Sequence, residues 1–158
     1  MYYNNNRSNF FNLQSAVGQL ILLNVILFSL TNLLPQLNLI EHLSLFYPSS
    51  PYFRVYQLIT HLFMHASFTH IFFNMFNLWM FGSRLESIWG RDRFLIYYFI
   101  TGLGAVFLHL FTQGIIIYNA TSSFFPHEFL LKNLEGTNQL INTPTLGASG
   151  AVYGLLLA

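Results

Sequence analysis

Apolar residues run almost unbroken over four stretches of this chain, and its charge and proline collect in the breaks between them. Residues 17–34 interrupt the first stretch only with Gln19, Asn24, Ser29, Thr31 and Asn32, and about 18 such residues suffice for one membrane-crossing helix. A secretory signal is the rival reading. It would have Arg7 as its only basic residue, and no small-x-small cleavage pattern follows around Leu34-Pro35. A retained helix is the better reading. Residues 35–66 hold Pro35, Pro48 and Pro51 with Glu41 and Arg54, too broken for a span but aromatic enough to lie at a membrane interface.

Ser67 can cap a second span over 68–86, in which His70, Asn74 and Asn77 form a polar stripe at spacings of four and three. Polar residues within a span face the protein interior or a wet cavity. A charged connector with Gly90 at its turn precedes a third span over 94–117, where Gly102, Gly104 and Ala105 offer a small face for helix contact. Residues 118–146 read as a polar loop, and a last span runs from 149 to 158 and onward. The fold class expected is therefore all-α: a polytopic helical membrane bundle over 16–158 behind a short polar tail, 1–15.

Composition agrees. The 158 residues are 54% hydrophobic and 7% charged, against about 25% charged in soluble domains. A net charge of +1 leaves no basic footprint for nucleic acid. The lack of cysteine removes thiolate metal sites and cysteine nucleophiles. The tail and the 84–93 connector fall on one side of the membrane and hold four of the six Lys and Arg residues, so that side is the cytoplasm. His70 and Ser149 then both enter the membrane from outside.

Ser149 stands in Gly147-Ala148-Ser149-Gly150 at the start of the last span. Serine attacks only when a base takes its proton and donors hold the oxyanion that forms. A helix N-terminus supplies free N–H groups, and His70 and Asn74 supply side-chain donors from the same leaflet. The pattern differs from the Gly-x-Ser-x-Gly elbow of soluble hydrolases. Each piece alone has an ordinary structural meaning: Gly150-x-x-x-Gly154 is a common helix-packing motif, and a lone histidine is usually structural. Their convergence on one membrane face is the informative part.

His61-x-x-Met64-His65, His70-Ile71-Phe72-Phe73-Asn74, Glu86 with Gly90, and Gly147-Ala148-Ser149-Gly150-Ala151-Val152-Tyr153-Gly154 together resemble the rhomboid intramembrane serine proteases. The resemblance covers about 56–104 and 145–158. It implies Ser149 as nucleophile, and His70 and Asn74 lining the oxyanion hole with the backbone of the Gly147–Ser149 loop. Tyr153 would pack beside the catalytic base, and His61 and His65 would pin the first outside loop. It further implies single-span membrane proteins as substrates, cut near the outer face of the bilayer by a Ser-His dyad, with the bilayer itself as the other partner and no cofactor or metal. A bacterial plasma membrane, with the N-terminus cytoplasmic, is the expected location.

Two departures matter. Tyr56-Gln57 stands where the family often has Trp-Arg, which questions how the loop is held. The histidine that serves rhomboids as general base, in an Ala-His-x-x-Gly pattern on their sixth helix, is not in this sequence. We therefore expect a rhomboid core with about four of the usual six helices, truncated within the fourth, inert by itself, and with the Gly150 and Gly154 face left bare. His109 reads as structural, and His42 and His127 as loop residues. Two alternatives stay open. One is an inactive rhomboid-like protein that binds membrane helices. The other is a membrane metalloenzyme using His61-x-x-x-His65, although such enzymes need several histidine boxes and no His-His pair is present.

Overall fold

Ser15 opens α1 (Ala16–Leu33) as its N-cap, accepting the Gly18 N–H on its hydroxyl at 3.0 Å. The two donors before Gly18 go to one carboxylate far along the chain: Glu86 Oε1 accepts the Ala16 N–H at 2.7 Å and Oε2 the Val17 N–H at 3.0 Å. A negative charge thus closes the positive end of the α1 dipole. Arg91 adds a second tie, donating to the Gln14 carbonyl at 3.2 Å and to Gln19 Oε1 at 2.6 Å. The computed structural model describes residues 13–126 and 134–158; the expected tail up to residue 12, and His127, lie outside these residues.

After α1 the chain makes short pieces: a 3₁₀ turn at Pro35–Leu37, α2 (Leu39–Leu43), α3 (Gln57–Thr60) and a second 3₁₀ turn at His61–Phe63. Gln57 holds this broken stretch together. Its buried amide accepts the Arg54 N–H at 3.0 Å and donates toward the carbonyls of Tyr52 at 3.0 Å, His42 at 3.2 Å and Glu41 at 3.4 Å. The neutral amide at the Tyr56-Gln57 departure is therefore itself fully engaged and ties together the backbone of three other loop residues besides Arg54.

Ser67 caps α4 (Phe68–Asn77), its hydroxyl accepting the His70 N–H. The helix passes through a π turn at Leu78–Gly82 into α5 (Ser83–Trp89). The continuous helical path is roughly 30 Å long, the thickness of a hydrocarbon core. A π turn inserts one residue into the α repeat, and a residue turns a helix face by about 100°. Above it, His70, Asn74 and Asn77 line a cavity against residues of the chain's last helix; below it, Gly82 packs on Val17 and Phe94.

Gly90, at φ +81, reverses the chain into α6 (Arg91–Thr121). This helix runs one turn past the expected boundary, through 118–121 where no glycine or proline stands, and Ser122 ends it in the left-handed region. The expected loop over 118–146 also contains α7 (Glu135–Asn142). Gln113 Nε2 donates to the Leu140 carbonyl at 2.8 Å, and Ile141 packs with Ile117 and Tyr47. The last helix is α8 (Ser149–Leu156). Among the described residues there is no strand, only an antiparallel bridge between Leu45 and Thr145.

The core joins α1, α4, α6 and α8, with Val17, Leu20, Leu78, Phe94, Tyr98 and Ala151 at its centre. The outward faces are apolar as well. α1 and α6 reach mean hydropathies of 1.8 and 1.9, yet only 33% and 22% of those windows are buried within the protein. A core helix of a soluble protein would be mostly buried, whereas outward apolar faces of this extent suit contact with lipid.

Candidate functional site

Ser149 is the first residue of α8, and the loop before it is held from two sides. Leu45 and Thr145 exchange backbone hydrogen bonds at 2.9 and 2.7 Å, and Gly147 donates its N–H to the His61 carbonyl at 2.8 Å. Gly147 has φ +117, a region L residues rarely adopt. A methyl group there would lie 2.7 Å from Cε1 and Nε2 of His70 and 3.8 Å from the Ser149 hydroxyl. The imidazole of His70 and the hydroxyl of Ser149 thus flank a position that only a hydrogen atom fits.

His70, Asn74 and Ser149 line one cavity of about 370 Å³, with Asn77 and Tyr153 further along it. The first i to i−4 hydrogen bond of α8 is donated by the Val152 N–H to the Ala148 carbonyl at 2.9 Å. The N–H groups of Ser149, Gly150 and Ala151 belong to the unsatisfied first turn. Asn74, buried, donates one amide hydrogen to the His70 carbonyl at 3.0 Å, which leaves its second hydrogen for a ligand. The Ser149 hydroxyl is half-buried and, like the Asn77 amide, has no hydrogen-bond partner among the described residues. The arrangement can hold a carbonyl near a hydroxyl, with several N–H donors around it.

His61 and His65 lie behind this cavity. His61 Nδ1 sits 2.8 Å from the Gln57 carbonyl, so Nδ1 carries the proton and donates. Burial lowers the pKa of His61 and favours that neutral tautomer. His65 is 2% exposed, its ring meets His70 edge-on at 4.9 Å, and neither nitrogen has a hydrogen-bond partner among the described residues. Burial first, and His70 beside it second, bring its pKa down to about 4. The two histidines thus make different contacts, one to a backbone carbonyl and one to an imidazole. Among the described residues no group of three or more histidines and carboxylates gathers in metal-binding geometry.

Gly150 and Gly154 do not form a bare face. A methyl group at Gly150 would lie 2.5 Å from Cβ of Ala105, and one at Gly154 would collide with Cβ of Thr101. The α8 stripe is packed directly on α6, because backbone approach at this distance needs glycine. Tyr97 reinforces it by donating to the Gly154 carbonyl at 2.9 Å. Gly102 belongs to this contact, facing Leu62 and Ala151, whereas Gly104 faces open space. Tyr153, 68% exposed, stands one turn from Ser149 on the open side of the cavity.

Among the described residues, His70 is the only histidine lining the cavity. His109 Nε2 pairs with Thr145 Oγ1 at 2.8 Å, and so supports the loop before Ser149 rather than its hydroxyl. Two ties escaped sequence reasoning. The Gln57 grip joins residues distant in the chain without any charge pattern, and the clasp of Glu86 on α1 needs the fold to bring its partners together. Asn77 was visible as a polar residue in an apolar run, but its place in the cavity needed the α8 wall.

The rhomboid domain, as a family model, matches residues 52–158. A relative from Bacillus subtilis (strain 168), named "Putative rhomboid protease YdcA", is 40% identical over 48 residues, which is 30% of this chain and 24% of the relative. The similar stretch thus spans about a quarter of that relative's length. With the family match covering most of its length, including both the His70–Asn74 stripe and the Ser149 loop, and with two helices apolar enough to cross a bilayer, this chain belongs to the rhomboid family of membrane proteins.

Proposed function

We propose that the chain carries the nucleophile and oxyanion hole of an intramembrane serine endopeptidase acting on single-span membrane proteins near the outer face of the bilayer. One observation carries this reading: Ser149, His70 and Asn74 share one cavity between α4 and α8. The Ser149 hydroxyl would attack the scissile carbonyl and lose its proton to a base. The oxyanion would be held by the Ser149 N–H, the free Asn74 amide hydrogen and the His70 imidazole. Each such donor is typically worth about 10²–10³ in rate. The Glu86–Gly90 end of the helix lies in the cytoplasm, so the mouth of the cavity opens toward the outer leaflet.

A second reading has one observation in its favour. No general base besides His70 stands in the cavity among the described residues, which suits an inactive relative that binds membrane helices. One experiment separates the two in the protein expressed from its own gene. Cleavage of a single-span reporter abolished by Ser149→Ala, with a fluorophosphonate labelling Ser149, supports the protease. Asn74→Ala and His70→Ala should leave activity lower by about 10–10³-fold. Full turnover by Ser149→Ala would overturn the nucleophile assignment, and reporter binding without any cleavage would favour the second reading.

A further inference from the structure

We infer that a pocket at the end of α1 far from the Glu86 clasp binds the primary ammonium of a zwitterionic membrane lipid, that of an ethanolamine phospholipid. This pocket shares no residue with the cavity that holds Ser149, and binding there does not depend on the chemistry of that cavity. It has a volume of about 370 Å³ and is walled by Thr31 of α1, residues 38–41, Phe46, Tyr52 and Asn142. Its depth follows from α1. The helix runs 18 residues from the clasp to Leu33, and at 1.5 Å each these cross about 27 Å. Thr31 therefore stands near the edge of the hydrocarbon core, where lipid headgroups begin.

The lining has the chemistry of an ammonium cage. Among the described residues, Glu41 is the one charged side chain in it, and its carboxylate has no hydrogen bond or ion pair. Asn38 precedes α2, at a position where asparagine usually caps. It sits at φ 47 and its side chain makes no capping bond, so its amide oxygen is left to the pocket. Thr31 donates its hydroxyl to the Leu27 carbonyl at 2.8 Å, and the same oxygen can still accept. Three acceptors match the three hydrogens of a primary ammonium. Phe46 and Tyr52 add two rings, with centroids 5.4 Å apart and planes inclined at 42°, and ring faces attract cations. No basic side chain lines the pocket among the described residues, so a phosphate stays outside it, in the headgroup layer. Leu37 and Ile40 are exposed beside these acceptors. They offer apolar contact to acyl chains, which a soluble amine lacks, and this favours a lipid as the occupant. Asn142 and Pro144 form the opposite wall, and Thr145 follows them with its backbone bonded to Leu45. An occupied pocket thus ties the end of α1 to the loop before Ser149.

The test titrates the protein expressed from its own gene, in a non-ionic detergent, and reads lipid binding by native mass spectrometry and by melting temperature. Phosphatidylethanolamine should bind about tenfold more tightly than phosphatidylcholine of the same acyl chains. Methylation removes every hydrogen that the three acceptors take, and tenfold is the order of one charge-assisted hydrogen bond. At ten times its dissociation constant, phosphatidylethanolamine should raise the melting temperature by about 3–6 °C. Glu41→Gln keeps the size of the side chain but removes its charge, and should bring the affinity ratio of the two lipids near one. Asn38→Gly, which suits the left-handed backbone, should lower the ratio about threefold. Comparing the two lipids within each variant cancels any general loss from poor folding. A wild type that binds both lipids equally, or a ratio unchanged in both variants, would overturn the inference. Free ethanolamine at the same concentration should leave the melting temperature unchanged. An equal rise with it would overturn the lipid assignment and make a soluble amine the occupant.

Discussion

Replacing Gly147 by alanine separates backbone strain from damage to the site. The residue sits at φ +117, where an L side chain costs about 1–3 kcal/mol. For a chain of this size that is about 2–4 °C of melting temperature per kcal/mol. The added methyl also meets His70 Cε1 and Nε2 at 2.7 Å, about 1 Å inside ordinary contact. The ring or the loop must move by about that amount, and the Ser149 hydroxyl lies on the other side of the same methyl. Displacement of about 1 Å at a reacting centre costs on the order of 100-fold in rate. Gly90→Ala is the matched control, since Gly90 has φ +81 but nothing within 4 Å of an added methyl. Thermal unfolding in detergent should show both variants destabilised. Fluorophosphonate labelling should slow strongly for Gly147→Ala and stay near wild type for Gly90→Ala. Equal labelling rates in the two variants would refute the claim that Gly147 exists to let His70 and Ser149 approach each other.

Other expectations follow from contacts outside the cavity. Glu86→Gln leaves one acceptor oxygen for two N–H groups and removes the charge at the α1 dipole, so detergent unfolding should show a loss of about 1–3 kcal/mol, well above that of Ser87→Ala. His65 has its folded pKa lowered from 6.5 to about 4, so between those values the unfolded chain binds a proton that the folded one refuses. Stability should be full above pH 6.5 and fall toward pH 4 by up to roughly 3 kcal/mol, and His65→Leu should flatten that dependence in a pH series of unfolding curves. For topology, a cysteine at exposed Asn138 should react with an impermeant thiol reagent in intact cells while one at exposed Ser87 should not; the reverse would invert the membrane placement.

Local periodicity made the His70 and Asn74 pair legible, because a spacing of four puts two residues on one helix face whatever the tertiary context, and Ser149 stood out by the glycines around it. The glycine pair on α8 was legible for the same reason, although not its partner: Thr101 and Ala105 answer it from α6, while Gly104, equally small, answers nothing. The π turn has no local signal in Leu78–Gly82, and it decides which side of the helix the polar stripe faces. α7 was hidden because its sequence is polar and its helix is held by Gln113 and Ile117 rather than by its own propensity. The roles of Glu86 and Gln57 were beyond reach for a further reason. Each acts on backbone groups, which carry no residue identity to recognise.

The choice of Gln57 over a charged residue sets how the loop between α1 and α4 responds to its surroundings. An arginine in that position would hold carbonyls by a charge that salt screens and nearby ions contest. An amide has no charge to screen and no proton to lose. The loop that carries His61, and through its carbonyl fixes Gly147, is thus anchored at Gln57 by bonds that salt does not screen and that do not titrate. The anchor of the loop behind Ser149 would then be insensitive to salt, and the acid response of this region would come from His65 instead.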